Sequence, residues 1–347
     1  MALGPRTKKL LSISVKFILL PAIALLLLYF AFSGLDLQSI WQAIKGADYF
    51  YVGLSFLTGY VAFVLIGLRW LIPLEALGYR HVSKINSINA VTITYITNLV
   101  IPRAGEIARC TALNQAEGLP VSKLLGTVIM ERALDVVMLG LSILLTILLQ
   151  YGPIERFFYE LLTLRSGAAE DYKYILLAIL AVLVLILYLL RRKLRHTAAY
   201  QKIAEFLSGI FAGIKSITRL PHKWMFIVYT VLIWLMYYLM IFFMSYAFRE
   251  TTALSAANIL YLMTVGGLAQ LVPVQGGIGA YHSAMKIGIP ILGIAAITPN
   301  LAMAFATLNH ATQTLMQIFT GAIALAMISR AKVRRMSHSE RSAAEKD

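Results

Sequence analysis

An otherwise apolar stretch of the chain, from Asn86 to Asp135, carries an unusual set of charged side chains. Four are positive and four are negative, so the charges cancel. An unpaired ionisable side chain near the middle of a bilayer costs about 2.5 to 3.5 kcal/mol on insertion scales, so these charges are expected to pair in a space lined by protein. The stretch is therefore the first candidate for a functional site. Its charged residues are Arg103, Glu106, Arg109, Glu117, Lys123, Glu131, Arg132 and Asp135.

The first group of these charges follows a predicted break in the chain. Pro102 removes a backbone donor, and Gly105 loosens the backbone just after it. Arg103, Glu106 and Arg109 are spaced at i, i+3 and i+6, so on a helix they share one side with alternating sign. Non-helical backbone is tolerated at membrane depth only where it is buried in protein or lines a polar cavity. We therefore predict a re-entrant hairpin that enters from the cytoplasm and returns to it.

The second group lies in a predicted long helix from Pro120 to about Gln150. At about 1.5 Å per residue, Glu131 is about 16 Å from Pro120, near the middle of a core about 30 Å thick. Glu131 and Asp135 share a face at i, i+4, and Arg132 meets Asp135 at i, i+3. Two interpretations stay open: an ion-pair staple to the first group, or a site for a polar headgroup or a proton.

A second broken segment covers residues 260–290. Its proline and its glycines are incompatible with a continuous helix. Glycine turns can present backbone N–H groups to an anionic headgroup, although the spacing matches neither a Walker loop nor a dinucleotide fingerprint. A histidine and a lysine at i, i+4 add up to two positive charges on one face. The candidate binding residues here are Gly276, Gly277, Gly279, His282 and Lys286.

The composition indicates an integral membrane protein. Hydrophobic residues make up 59% of the chain and charged residues 14%, and the mean hydropathy is +0.76. Several apolar runs approach the roughly 18 to 20 residues that span hydrocarbon, which favours an all-α protein over a barrel. The single cysteine, Cys110, excludes an internal disulfide. No acidic residue occurs between Glu250 and Glu340, so we expect neither a metal site nor a cofactor.

Charge distribution predicts the topology. The net charge is +15, and the basic residues gather beside apolar runs, where they would meet anionic lipid headgroups rather than nucleic acid. Residues 191–223 give the strongest positive-inside signal and include a predicted amphipathic surface helix at 203–217. The connections 36–48 and 151–171 are predicted to be loops outside the cell. The expected product is a multi-pass protein of the cell (inner) membrane with both termini cytoplasmic.

The two broken segments match each other. Pro102 is followed 18 residues later by Pro120, and Pro273 is followed 17 residues later by Pro290. The predicted crossings run in opposite directions, and inverted repeats with broken helices are typical of secondary transporters. We predict about six full transmembrane helices plus two broken, re-entrant hairpins in an inverted repeat. The predicted boundaries are 1–330 for a single membrane domain, about 12–150 and 172–330 for its repeats, and 331–347 for a basic, disordered cytoplasmic tail.

The residues at both breaks resemble a known family. IPRAGEIARCTAL (101–113), ERALD (131–135) and VPVQGGIGAYH (272–282) are similar to paired signatures of the lysylphosphatidylglycerol synthase transmembrane family, which includes the membrane half of MprF proteins and stand-alone YbhN-like and AglD-like proteins. The similarity spans roughly residues 12–330. The second signature departs from the family pattern, which often has a proline where Gln275 stands and an acid near His282.

The resemblance implies lipid handling. Two-part members make aminoacylated phosphatidylglycerol in a large soluble domain and move it to the outer leaflet in the membrane half. The longest polar segment of this chain, from about Arg195 to Lys223, is too short for such a domain. We therefore expect a flippase-like lipid transporter rather than an enzyme, with the charged residues holding the headgroup and Glu106 and Glu131 as the carboxylates best placed for protons.

Two other functions stay open. One is a membrane-embedded transferase that uses a polyprenyl-linked or phospholipid donor. The other is a membrane anchor that holds a separate lipid-modifying enzyme through the basic residues at 191–195. Membrane lipids are the expected partners in each case, and the sequence is compatible with a homo-oligomer.

Overall fold

The computed structural model describes residues 20–163, 213 and 215–344. Within these residues the chain is helical and contains no strand, which confirms the all-α prediction. Four described helices are long and apolar enough to cross a membrane, and a fifth span is counted if the pair Pro21–Phe32 and Leu37–Lys45, bent by 90°, is one. The predicted span at 172–190 lies outside the described residues, and so does most of the predicted amphipathic helix at 203–217. The count of six transmembrane helices stays a prediction.

We number the α-helices of the described residues in chain order. Short 3₁₀ turns lie at Arg249–Ala253, Gln275–Gly277 and Pro290–Leu292. The helices are α1 Leu20–Phe32, α2 Leu37–Lys45, α3 Tyr49–Ala76, α4 Lys84–Val100, α5 Gly105–Glu117, α6 Val121–Leu149, α7 Tyr151–Thr163, α8 Lys223–Tyr246, α9 Ala256–Ala269, α10 Ala280–Gly288 and α11 Pro299–Ala344.

The antiparallel pair α3 and α8 defines the two ends of the molecule. At one end, the backbone N–H of Asp48 donates to the Ala247 carbonyl at 2.8 Å. At the other, His222 Nε2 lies 3.7 Å from Glu75 Oε2. We call these the Asp48 end and the Glu75 end. Since α4 begins shortly after α3 finishes, and α9 begins shortly after α8 finishes, the two helices enter the molecule from opposite ends.

Both predicted breaks are present, and each produces a helical hairpin. The first hairpin is α4 and α5, which enters and leaves at the Glu75 end and breaks at residues 101–104. The second is α9 and α10, which enters and leaves at the Asp48 end and breaks at residues 270–279. Their tips meet, because Arg103 Nη2 donates to the Leu271 carbonyl at 2.9 Å and Gly276 packs against Leu99. This placement is the one expected of an inverted repeat, whose boundaries stay a prediction.

The apolar core has two main parts, one around each hairpin. Trp70, Leu113 and Leu124 are buried around the first hairpin, and Tyr261 and Met285 are buried around the second. Between α6 and α9, hydroxyl groups replace apolar contacts: Thr264 lies 2.6 Å from Ser142 and 2.8 Å from Thr146, oxygen to oxygen. Such interhelical hydrogen bonds satisfy polar groups that lipid cannot.

Both predicted outer loops contain helices in the structure. α2 begins at Asp36, whose carboxylate accepts from the Gln38 backbone N–H at 3.0 Å and from the Ser39 hydroxyl. These two hydrogen bonds hold the pKa of Asp36 below its ordinary value. α7 buries Ile154 and Phe157 against the second hairpin. Side-chain capping and one-sided burial therefore give helices where charge alone suggested loops.

The structure also differs from the predicted disordered tail at 331–347. α11 continues as a helix to Ala344. Arg335 Nη1 donates to the Asn114 carbonyl at 2.7 Å, so the extension is fastened to the end of α5. The carbonyl groups in the last turn of a helix favour a cationic partner, which the sequence of the tail supplies.

Candidate functional site

Three fully buried side chains form the centre of the charged cluster. Arg69 Nε lies 3.4 Å from Glu131 Oε1, and Arg109 Nη1 lies 2.8 Å from Glu131 Oε2. The exposed fractions of these side chains are 1% for Arg69, 2% for Arg109 and 0% for Glu131. The Arg109 guanidinium also stacks 3.7 Å from the centre of the Trp70 ring. We call Arg69, Arg109 and Glu131 the inner triad, and it ties α3, α5 and α6 together.

Three partly exposed side chains complete the cluster. Arg132 Nη2 lies 2.9 Å from Asp135 Oδ2, and Arg132 Nη1 lies 3.6 Å from Glu106 Oε1. The exposed fractions are 43% for Arg132, 30% for Glu106 and 23% for Asp135. We call these three residues the rim. The rim joins the inner triad where Arg69 Nη1 meets Asp135 Oδ1 at 2.9 Å, and the six charges sum to zero.

A cavity of about 60 Å³ opens beside the rim. In the described part of the chain, neither Thr94 Oγ1 nor Glu106 Oε2 has a hydrogen-bond partner. A buried polar atom without a partner favours a ligand that supplies one, whether water or a polar headgroup. The cavity is lined by Ile66, Val91, Thr94, Tyr95, Asn98, Glu106, Arg109 and Arg132.

Gly105 brings the two arms of the first hairpin together. A Cβ atom at this position would lie 2.2 Å from the Thr94 carbonyl oxygen, so a side chain cannot be accommodated without separating α4 from α5. The Gly105 backbone N–H donates to Asn98 Oδ1 at 2.9 Å, which caps the start of α5. This close approach positions Glu106 beside the cavity and Arg109 against Glu131.

Arg103 does not join the cluster. It lies in the break itself, with a left-handed φ of 63°, and its side chain reaches the Leu271 carbonyl of the second hairpin. Glu117 and Lys123 are also elsewhere: Glu117 accepts from Asn86 Nδ2 at 2.7 Å, and Lys123 lies over the Tyr79 ring. The structure thus brings together five of the predicted charged residues and leaves Arg103 as a link between the hairpins.

Arg69 is the residue that the sequence reasoning missed. It lies outside the charged stretch from Asn86 to Asp135 on which the sequence analysis centred. In the structure α3 continues to Ala76, so Arg69 lies inside the helix and is buried. The apolar residues that follow it, WLIPL, were the signal that the helix continues past Arg69. Pro73 suggests a break in the sequence, but the helix runs through it in the structure.

The glycine turn of the second hairpin packs against protein and does not face an open anion site. Gly276, Gly277 and Gly279 have left-handed φ values of 55°, 74° and 80°. A Cβ atom at Gly279 would lie 2.6 Å from Leu27 Cβ of α1. The Gly276 carbonyl faces His310 Nε2 at 2.8 Å. The three glycines therefore serve the turn and its close packing.

His282 and Lys286 point to different places, although they share one helix. His282 is buried, and its ring centre lies 5.0 Å from that of His310. Lys286 Nζ donates to the Ser33 carbonyl at 3.0 Å and borders a cleft of about 800 Å³ at the Asp48 end. The cleft is lined by Phe30, Ala31, Arg156, Glu160, Ser283, Lys286, Ile287, Pro290, Ile291, Gly293 and Pro299.

Comparison with known proteins identifies one family for the chain. The chain matches the model of a family described as the lysylphosphatidylglycerol synthase TM region over residues 17–321. The match includes both hairpins, the inner triad and the rim. Comparisons with curated proteins and with solved structures gave no match. The resemblance predicted from the sequence is confirmed, and the chain belongs to the lysylphosphatidylglycerol synthase transmembrane family.

Proposed function

We propose that this multi-pass membrane protein is a flippase-like transporter that moves the polar headgroup of a phospholipid, or of a polyprenyl-linked lipid, between leaflets. One observation carries the proposal. A charge-balanced cluster is buried on one side and opens on the other to a polar cavity, close to a helix break. At this cavity Thr94 Oγ1 and Glu106 Oε2 have no hydrogen-bond partner among the described residues. Ionisable groups within membrane segments commonly mark substrate pathways.

The inner triad and the rim would have different roles. Glu131 holds two guanidinium groups, so it fixes the position of the cluster. The rim groups are exposed enough to exchange partners. A headgroup phosphate can replace a carboxylate at Arg132, and a headgroup amine can replace Arg132 at Glu106 or Asp135. When the two exchanges occur together, the displaced carboxylate pairs with the amine and Arg132 pairs with the phosphate, so no isolated charge is left in the membrane. A zwitterionic or aminoacylated headgroup satisfies both halves.

The cleft at the Asp48 end would receive the headgroup on the other side of the membrane. Its walls are mostly apolar, and Lys286 and Arg156 supply positive charge beside Glu160. Such a surface can hold acyl chains against the apolar wall while the phosphate meets the cations. Of the second candidate group, only Lys286 reaches this cleft, and we assign the receiving role to it.

We propose that the protein lies in the cell (inner) membrane and that its Glu75 end faces the cytoplasm. Arg80, Lys84 and Lys223 lie at this end together with Arg335 of α11, whereas Asp36 and Asp48 lie at the other. An excess of basic residues in short connections marks the cytoplasmic side. Both termini are then cytoplasmic, and anionic lipids are partners of this face.

Lipid exchange in vesicles tests the proposal. Purified protein is reconstituted in liposomes with fluorescent phospholipids, and the label that becomes accessible to an external quencher is measured. Arg132→Gln and Glu106→Gln each remove one charge-assisted contact, worth about 1.5–3 kcal/mol, so we expect exchange to fall about tenfold or more. Glu250→Gln is the matched control, since Glu250 is exposed at the Asp48 end and far from the rim in sequence. Labelled polyprenyl-linked lipids are assayed in the same way. Folded protein that exchanges none of the zwitterionic, anionic, aminoacylated and polyprenyl-linked lipids would contradict the proposal.

A further inference from the structure

Two buried histidines lie together beside the second hairpin, outside the charged cluster. His282 belongs to α10 and His310 to α11, and their exposed fractions are 5% and 7%. Their ring centres are 5.0 Å apart. A buried imidazole pair is uncommon in a segment this apolar, because each ring brings two polar nitrogens that need partners.

The hydrogen bonds fix part of the protonation of this pair. A carbonyl oxygen only accepts, so His310 Nε2, at 2.8 Å from the Gly276 oxygen, carries the hydrogen and donates it. In the neutral ring, His310 Nδ1 is then an acceptor, and the Thr314 hydroxyl lies 3.5 Å from it. His282 Nδ1 has no hydrogen-bond partner in the described part of the chain. The pair therefore has capacity for a proton that its surroundings do not use.

In the described part of the chain, no ion pair with a carboxylate compensates a positive charge at these two histidines. Neither imidazole is paired with an acidic side chain of the described residues, and α11 carries no acid from Pro299 to Ser329. On α7, which packs against α10, Glu160 lines the outer cleft with Lys286. The elements that pack against α10 and α11 carry the following titratable or charged groups: Tyr29 of α1, Lys45 of α2, Tyr49, Tyr51, Tyr60, Arg69 and Glu75 of α3, Lys84 and Tyr95 of α4, Arg103 of the first break, Glu106, Arg109, Cys110 and Glu117 of α5, Tyr151, Glu155, Arg156, Tyr159 and Glu160 of α7, Lys223, Tyr229, Tyr237, Tyr238 and Tyr246 of α8, Tyr261 of α9, Tyr281 and Lys286 of α10, and Arg330, Lys332, Arg334 and Arg335 of α11.

We propose that His282 and His310 form a proton-binding site that controls the opening of the second hairpin. Protonation places an uncompensated positive charge between α10 and α11, which disfavours the packed arrangement and favours one in which the glycine turn reaches water. Gly276 is part of that turn, and the hydrogen bond from His310 to its carbonyl links the turn to the histidine pair. The contact between Arg103 and the Leu271 carbonyl is part of the same loop and opens with it.

In this proposal the histidine pair, rather than Glu131, carries the proton. Glu131 already has two guanidinium partners, and its protonation would leave both short of negative charge. The histidine pair has no such constraint, and imidazole is the side chain that titrates near physiological pH. Where the protein transports lipid as proposed above, proton binding at the pair couples hairpin opening, and so transport, to a proton gradient.

A cysteine reporter tests the opening directly. Val274 is 6% exposed and lies just before the glycine turn, so Val274→Cys in a Cys110→Ala background reports when the turn reaches water. The labelling rate of this thiol is measured in the protein with its native histidines and in the His282→Gln/His310→Gln variant. The two rates are compared at the same pH, over the range from about pH 5 to pH 8. Glutamine can donate to the Gly276 carbonyl as His310 does, but it does not titrate. The comparison at equal pH cancels the pH dependence of the thiol itself.

We expect the labelling rate with the native histidines, divided by the rate in the double glutamine variant, to rise as the pH falls. The rise is up to about tenfold for each pKa unit by which the proton affinity of the pair differs between the packed and open arrangements. The control variant, His81→Gln, removes an exposed histidine and should behave as the native protein does. A ratio that stays the same at every pH, with both proteins folded, would overturn the proposal.

Lipid exchange in the same variants separates this inference from the proposed function. Exchange that accelerates at low pH in the native protein and is independent of pH in the double glutamine variant supports both. Exchange whose pH dependence is unchanged in that variant contradicts the proton site and leaves lipid transport standing. Absence of exchange at every pH contradicts lipid transport, and the thiol experiment still decides whether the histidine pair opens the hairpin.

Discussion

The two hairpins use the same backbone design for different chemistry. Each breaks at a proline followed by glycine, and the two breaks meet where Arg103 contacts the Leu271 carbonyl. Around the first hairpin the polar groups are permanent charges, arranged as three cations and three anions. Lys286 of the second hairpin faces the outer cleft, whereas the polar groups buried beside the glycine turn are two imidazoles, amides and hydroxyls. The charged cluster beside the first hairpin therefore holds fixed, paired charges, whereas the histidine pair beside the second can become charged by binding a proton.

Charge pairing sets the energetic weight of each region. In the inner triad the loss of one member leaves its partners without a counter-charge in a low-dielectric interior, so the penalty is large and falls on folding itself. In the second region the loss of one hydrogen bond leaves no isolated charge, so the penalty is small. Stability measurements on matched variants can therefore distinguish the two regions.

Glu131→Gln should have the largest effect. It removes the negative charge that two buried guanidinium groups share, and breaking a buried ion pair costs about 3–5 kcal/mol. The free energy of unfolding can be measured in mixed micelles by tryptophan fluorescence, to which Trp70 contributes because it stacks on Arg109. We expect folding to be lost or severely weakened.

Glu106→Gln is the matched comparison for that variant. Glu106 is 30% exposed, and its ion-pair distances are 3.6 and 4.0 Å, so its removal should cost about 1 kcal/mol or less. It should reduce lipid exchange while the protein stays folded. Equal loss of stability in the two variants would mean that the inner triad and the rim are one structural unit.

Gly105→Ala should have the second largest effect. The added methyl group would overlap the Thr94 carbonyl oxygen, and overpacking of this kind costs about 1–3 kcal/mol. Gly126→Ala is the matched control, since a Cβ atom there meets nothing within 4 Å. In that helix position alanine should stabilise by about 0.5–1 kcal/mol. The two substitutions should thus shift the unfolding midpoint in opposite directions, and a shift in the same direction would show that the arms of the first hairpin are not held by this contact.

Local sequence signals were sufficient for the helices and the breaks. The helix predicted from Pro120 to about Gln150 is Val121–Leu149 in the structure, because proline and the apolar run act on the chain near them. Both breaks occur where proline and glycine predicted them. The helical character of α2 and α7 was not predicted, because short surface helices depend on caps and one-sided burial more than on charge.

The charged cluster could be predicted only in part. Glu106, Arg109 and Glu131 lie close in sequence, and their spacing suggested a common site. Arg69 joins them from α3, and its contact with Asp135 depends on how α3 packs against α6. The same limit applies to the histidine pair, because nothing local to His282 indicates His310. Pairings between distant helices are set by the packing of the whole bundle, which periodicity does not report.

Tyr281→Phe should have the smallest of the three effects and sharpens the comparison from the second hairpin. The Tyr281 hydroxyl accepts a hydrogen bond from Asn309 Nδ2, and both side chains are buried beside the histidine pair. A single neutral hydrogen bond contributes about 0.5–1.5 kcal/mol, so the free energy of unfolding should fall by about that amount. Tyr29→Phe, at an exposed position, should leave it unchanged. Because the lost bond carries no charge, the decrease should be the same at every pH at which the protein is folded. A loss comparable with that of Glu131→Gln, or one that grows as the pH falls, would show that the second region also depends on charge in its resting arrangement.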